Sequence, residues 1–145
     1  MKENIILRII AKLLIPMIVL FAFYVQFHGD YSPGGGFQAG VIFSAAFILY
    51  SLIFGVDIAK EVISVPVLRI IASLGVLVYA GTGVAGLIYG GEFLKYSVLA
   101  EAPKTGQHIG IILVELGVGM TVSAVMLLIF YTFANRGRPT GADHD

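Results

Sequence analysis

The chain has 145 residues, of which 58% are hydrophobic and 12% are charged, and its mean hydropathy is +0.94. An average soluble domain carries roughly 25% charged residues, so this chain has too few charges to cover a water-soluble globule. The formal net charge is zero, which gives nucleic acid or an acidic partner no electrostatic basis for binding. The absence of cysteine excludes disulfides, thiolate metal sites and a cysteine nucleophile.

Charged residues divide the chain into apolar segments long enough for the roughly 20 residues that a helix needs to cross a bilayer. In chain order, we predict spans at about 5–27, 37–56, 69–91 and 109–133. The first carries Arg8 and Lys12 in its early turns, and their side chains must reach back to the interface. Buried helices of a soluble protein are disfavoured because the segments lack polar faces. The predicted fold is an all-α integral membrane protein, with residues 1–145 forming a single membrane domain of four transmembrane helices.

The distribution of Lys and Arg in the connecting segments predicts the orientation. Two of these residues, Lys95 and Lys104, lie on one side of the predicted membrane. The other seven lie on the opposite side, namely Lys2, Arg8, Lys12, Lys60, Arg69, Arg136 and Arg138. Both termini are therefore predicted to be cytoplasmic, with residues 135–145 as a short, disordered tail.

The most distinctive local sequence is the predicted outer loop from His28 to Gly40. Its three consecutive glycines allow backbone conformations closed to other residues and allow a neighbouring helix to approach closely. The N–H groups that begin the second span carry the positive end of the helix dipole, so the loop could also hold an anion or a carboxylate. We favour a tight turn packed under a neighbouring helix, and a ligand site remains the alternative. The candidate residues are His28, Asp30, Pro33, Gly34, Gly35, Gly36, Phe37, Gln38 and Gly40.

Glu115 is the one acidic residue inside a predicted span, about six residues into the fourth helix and roughly 9 Å below its outer end. A charged group at this depth costs a few kcal/mol unless it is paired, hydrated or protonated. His108 lies nearly on the same helix face and could line the same water-filled entrance. Glu115 and His108 are therefore candidates for an ion path. A structural bond from Glu115 to a partner helix is an equal alternative, and simple solvation is favoured for His108.

Three pairs of small residues have the spacing that lets membrane helices pack closely. They are Gly81 and Ala85, Gly86 and Gly90, and Gly119 and Ser123. The histidines show no metal-ligand spacing, and motifs of hydrolases, kinases and dinucleotide-binding enzymes are absent from the sequence. We therefore expect neither a metal site, nor a cofactor, nor an enzyme activity.

The segment from His28 to Gly40 resembles the signature of the MnhB/MrpB family, the B subunits of multi-subunit Mrp-type sodium/proton antiporters. The segment from Val114 to Val122 is similar to the second recognisable stretch of that family. The number of spans and the chain length also fit, so the resemblance covers nearly the whole chain.

The resemblance implies a subunit of a large assembly in the cell membrane that exchanges cytoplasmic sodium for external protons. Sodium and protons are then transported species, and the partners include large antiporter-like subunits related to respiratory complex I. Related subunits also occur in membrane-bound hydrogenase-type complexes, so a structural role in such a complex is the alternative. A free-standing small channel or membrane enzyme is the third possibility.

Overall fold

The described part of the chain comprises residues 5–29, 34–99 and 102–136 of a computed structural model, apart from the side chains of Val98 and Pro103. It contains five α-helices and a short 3-10 helix at Tyr96–Val98. The α-helices are α1 (Ile5–Phe27), α2 (Gly36–Phe54), α3 (Val56–Val62), α4 (Val65–Ile88) and α5 (Pro103–Arg136). Within these residues, α1, α2, α4 and α5 are long and apolar enough to cross a membrane. The predicted all-helical class with four candidate spans is confirmed. Of the predicted tail at 135–145, Asn135 and Arg136 belong to α5, and the rest lies outside the described residues.

The third and fourth predicted spans begin earlier than the charge pattern indicated. Each of the two helices has a proline in its first turn, Pro66 in α4 and Pro103 in α5. Proline is favoured there because its missing N–H would have no intrahelical partner. Glu115 therefore lies about 18 Å along α5, rather than the predicted 9 Å from the start of the helix. The short helix α3, between the second and third spans, was not predicted.

The helix α5 is central, because α2 and α4 both pack against it while α1 packs mainly on α2. Glycines mark both crossings. A Cβ atom added at Gly40 of α2 would lie 2.8 Å from the carbonyl oxygen of Gly119, and one at Gly75 of α4 would lie 2.6 Å from that of Gly117. Such close approach is typical of membrane helices, whose association depends on packing between small residues. The main chain of α5 is thus held from two sides.

A buried cluster joins α3, α4 and α5 at the end of the bundle that is predicted to be cytoplasmic. Its members are Ala59, Leu68, Ala124, Leu127 and Tyr131. Lys60 extends over this cluster, with its Nζ 5.8 Å from the centre of the Tyr131 ring, and donates a hydrogen bond of 2.5 Å to Asn135. The short helix α3 is therefore tied to the last turns of α5.

An apolar cleft of about 310 Å³ runs along one face of α5, between α1 and α4. Phe23 of α1, Phe43 of α2 and Leu68 of α4 lie on its walls, and Ser123 of α5 is one of its few polar residues. Leu116, the residue after Glu115 on α5, also lines this cleft, so the cleft extends to the level of that acid.

Candidate functional site

The carboxylate of Glu115 lies between the two ends of the glycine-rich loop. A Cβ atom added at Gly29, just after α1, would lie 2.6 Å from its Oε2 and 2.7 Å from its Cδ. A Cβ atom added at Gly35, just before α2, would lie 3.1 Å from its Oε1. Residues 30–33 of the loop are outside the described residues, but both flanks meet the same half-buried side chain. The loop and Glu115, which the sequence suggests only as separate features, therefore form one site.

Gly35 determines how α2 begins at this site. Its backbone has φ 133° and ψ 178°, a combination essentially confined to glycine. The Gly35 carbonyl oxygen accepts the first helical hydrogen bond, 3.0 Å from the N–H of Ala39. Gly35, the N-cap residue, has no side chain with which to cap this end of α2. The carboxylate of Glu115 is consequently placed beside a helix N-terminus, whose dipole favours negative charge and offsets part of the cost of burial.

The next two small residues of α2 set its distance from α5. A Cβ atom at Gly36 would lie 3.0 Å from the Cα of Glu115, and one at Gly40 would lie 2.9 Å from the Cβ of Val122. The glycines at 36 and 40 thus pack directly on α5. The ends of the loop also contact a carboxylate, that of Glu115. This acidic group is part of the chain and not a bound ligand.

Two glutamine amides lie close to glycines of this region. The Oε1 of Gln38 is 3.7 Å from the position of a Cβ at Gly35, and the Oε1 of Gln26 is 2.5 Å from that of a Cβ at Gly119. Gln38 belongs to the predicted loop residues, whereas Gln26 and Gly29 were missed as site residues. The sequence signal for Gln26 was a polar side chain near the end of the first span, in the apolar stretch that follows Lys12. Gly29 carried no signal beyond its place beside His28.

The two candidate histidines are both exposed at this end of the bundle. The Nδ1 of His28 lies 2.9 Å from the carbonyl oxygen of Tyr24, and the two rings stack with centroids 4.1 Å apart. Both contacts of His28 are thus with Tyr24, in the last turn of α1. His108 lies about two turns before Glu115 on α5. Its predicted role beside Glu115 stays a prediction.

The remaining loop candidates are less closely connected with the carboxylate. Asp30 and Pro33 lie outside the described residues. A Cβ atom at Gly34 would lie 3.1 Å from the carbonyl oxygen of Val25, on α1, and the side chain of Phe37 is exposed. Of the predicted loop residues, Gly35, Gly36 and Gln38 are the ones that the structure places at Glu115.

The segment between α4 and α5 packs over the glycines of both helices. Phe93 covers Gly83 of α4, and Tyr96 covers Gly110 of α5, where an added Cβ would lie 2.5 Å from the tyrosine Cβ. Burial raises the pKa of Tyr96 above its ordinary value of 10.0, and the nearby Tyr79 raises the pKa further. The Tyr96 hydroxyl is therefore neutral at physiological pH.

Four apolar helices and a carboxylate enclosed by a glycine-rich loop define a multi-pass membrane protein with a polar site near one end. Residues 6–128 match a family described as a domain related to the MnhB subunit of Na+/H+ antiporter. Relatives named "Putative antiporter subunit mnhB2" from Staphylococcus aureus strains Newman, USA300 and COL are each 39% identical to the chain over 139 residues. The matched region covers 92% of this chain and 97% of each relative.

The chain belongs to the MnhB family, as its loop and fourth span predicted. It is an MnhB-like antiporter subunit, and thus a component of a transporter. The likeness extends over nearly the full length of the relatives, so it includes the four spans and the loop together with Glu115.

Proposed function

We propose that this subunit assembles with other membrane subunits, including large antiporter-like chains, into a cell-membrane complex that exchanges cytoplasmic sodium for external protons. Both termini are cytoplasmic in this proposal, because seven of the nine Lys and Arg residues are on that side of the predicted topology. The glycine-rich loop and the carboxylate of Glu115 then face the outer side. Sodium and protons are the transported species, and no cofactor is required.

The observation that carries the proposal is the position of Glu115. The residue is half-buried in a candidate span and enclosed by Gly29 and Gly35. Acidic side chains at such positions are costly and typically belong to ion or proton pathways. Because the N-terminus of α2 favours the ionised form while burial favours the neutral form, the carboxylate is suited to exchanging a proton or a sodium ion. We therefore assign Glu115 to the ion path, with His108 at its entrance.

The proposed role of Glu115 is tested by Glu115→Gln, which keeps the shape and most of the hydrogen-bonding capacity but cannot ionise. We expect the complex to assemble while sodium/proton exchange falls or its pH optimum shifts. Exchange is measured in everted vesicles across a pH series, with the abundance of the complex measured on the same membranes. Glu61→Gln, at an exposed position of α3 at the other end of the bundle, is the matched control.

A scaffolding role gives a different result in the same experiment. If Glu115 is only a structural acceptor, the Gln variant exchanges normally at normal abundance, whereas Glu115→Ala weakens assembly. That outcome would remove Glu115 from the ion path. Co-purification tests the assembly itself, since the chain expressed with its neighbouring subunits is expected in a complex several times its own mass of 15.5 kDa.

A further inference from the structure

Gly29 differs from Gly35 in the reason that a side chain is excluded. The glycines with positive φ among the described residues are Gly35, Gly55 and Gly90, so the backbone of Gly29 is open to any residue. What excludes a side chain is the carboxylate of Glu115, whose Oε2 and Cδ would lie 2.6 Å and 2.7 Å from an added Cβ. The glycine is therefore needed for space rather than for backbone conformation.

The neighbouring contacts show which group would move if position 29 carried a methyl group. The main chain of α5 is held against α2 at Gly36 and Gly40 and against α4 at Gly117. These contacts involve the backbone and resist displacement, whereas the Glu115 side chain can rotate. A methyl group at position 29 would therefore displace the carboxylate and leave the helix crossings in place.

We propose that Gly29 is a positioning residue for Glu115. Because Gly29 has no side chain, the carboxylate can occupy the space at its α-carbon, beside the N-terminus of α2. This inference rests on the proposed role of Glu115 in the ion path. The space available at position 29 determines where the carboxylate lies relative to the dipole of α2, and thereby how readily the carboxylate binds an ion.

Other titratable groups at this end of the described bundle could also influence the carboxylate. They are His28 at the end of α1, Tyr79 on α4, His108 on α5, and Glu92, Lys95, Tyr96 and Lys104 in and around the segment that joins these two helices. The first turn of α2 contributes the uncharged Gln38. Because Gly29→Ala leaves all of these groups unchanged, a shifted pH profile in this variant reports the displaced carboxylate.

The test combines a larger residue at position 29 with a shorter acid at position 115, and sodium/proton exchange by the full complex is measured in everted vesicles. Gly29→Ala adds a methyl group next to the carboxylate, and Glu115→Asp shortens the acid by one methylene. We expect each single variant to shift the pH optimum of exchange, or to raise the KM for sodium about tenfold, with unchanged abundance of the complex. The double variant should return toward the wild-type profile, because the shorter acid leaves room for the methyl group.

Gly81→Ala is the matched control, since an added Cβ there has no atom within 4 Å. A wild-type pH profile and KM in Gly29→Ala would overturn the inference, and so would a loss of abundance that Glu115→Asp does not rescue. The two proposals fail separately. An unchanged Glu115→Gln variant refutes both, whereas an altered Glu115→Gln variant with an unaltered Gly29→Ala variant refutes only the positioning role.

Discussion

Gly36 and Glu115 meet at the crossing of α2 and α5, where a Cβ atom at position 36 would lie 3.0 Å from the Cα of Glu115. The same acidic residue thus supplies backbone for a helix crossing and a carboxylate for the loop beside it. The first turn of α2 cannot separate from α5 without exposing that carboxylate. Assembly of the helices and enclosure of the acid are therefore linked through a single residue.

Gly36→Ala should weaken the packing of α2 on α5. The methyl group would overlap the Glu115 main chain, which cannot move aside as a flexible side chain does. Overpacking of this kind costs about 1–3 kcal/mol. We expect less complex after mild heating in detergent, measured by size-exclusion chromatography. The control is Gly81→Ala, which meets open space in α4 and gains up to about 1 kcal/mol in helix propensity. Equal heat stability of the two variants would contradict the proposed crossing.

Gly35→Ala should be more damaging than Gly55→Ala. Both glycines have positive φ, 133° and 110°, so alanine strains the backbone at either position by about 1–3 kcal/mol. Only at Gly35 would the added Cβ also meet Glu115, 3.1 Å from its Oε1, because no atom lies within 4 Å of one at Gly55. We expect both variants to lose heat stability and only Gly35→Ala to change the pH profile of exchange. A changed profile in Gly55→Ala would show that backbone strain alone is sufficient.

Gly110→Ala should displace Tyr96 from α5 and loosen the segment between α4 and α5. The added methyl group would overlap the tyrosine side chain, which covers this glycine. The loosening is measured as faster thiol labelling at a cysteine introduced at a half-buried position beside Tyr96, Ser97→Cys. Adding Tyr96→Ala should bring little further increase, because the same contact is already lost. If Gly110→Ala labels at the rate of the parent, the segment is held by other contacts.

The pKa of Tyr96 predicts how this segment responds to alkaline pH. Since burial, with a smaller effect of Tyr79, raises the pKa, the packed tyrosine keeps its proton at a pH where an unpacked one begins to lose it. The packed form therefore loses stability only as the pH rises through about 10. Labelling of Ser97→Cys should accelerate above that pH, and a Tyr96→Phe background should abolish the acceleration. The same acceleration in the Phe background would assign it to another group.

Two matched cysteine variants test the orientation. Glu92→Cys and Glu61→Cys each remove one exposed carboxylate, on opposite sides of the predicted membrane, and the native chain has no cysteine. We expect a membrane-impermeant thiol reagent added to intact cells to label position 92 and to leave position 61 unlabelled. Both should be labelled after the cells are opened. Labelling at position 61 in sealed cells would reverse the proposed topology.

The four long helices could be predicted because hydropathy is a local property, summed over adjacent residues. The end of α1 at Phe27 agrees with the prediction. The ends of α4 and α5 were less predictable, because polar and weakly apolar turns such as Thr105 to His108 continue a helix without contributing to an apolar segment. The short helix α3 has too few residues for its own hydropathy signal.

The sequence by itself determined the four candidate spans, the glycine-rich loop and the single acidic residue in the fourth span. Only the tertiary structure decided that the loop and the acid meet, and that Gly29 belongs to the same site. It also distinguished Gly75, which lies at a crossing, from Gly81, which faces open space, although both lie in α4. The physical reason is that each residue turns a helix by about 100° and advances it by 1.5 Å. Which faces meet depends on the rotation and offset of whole helices, and these are settled by packing between segments that are distant in the chain.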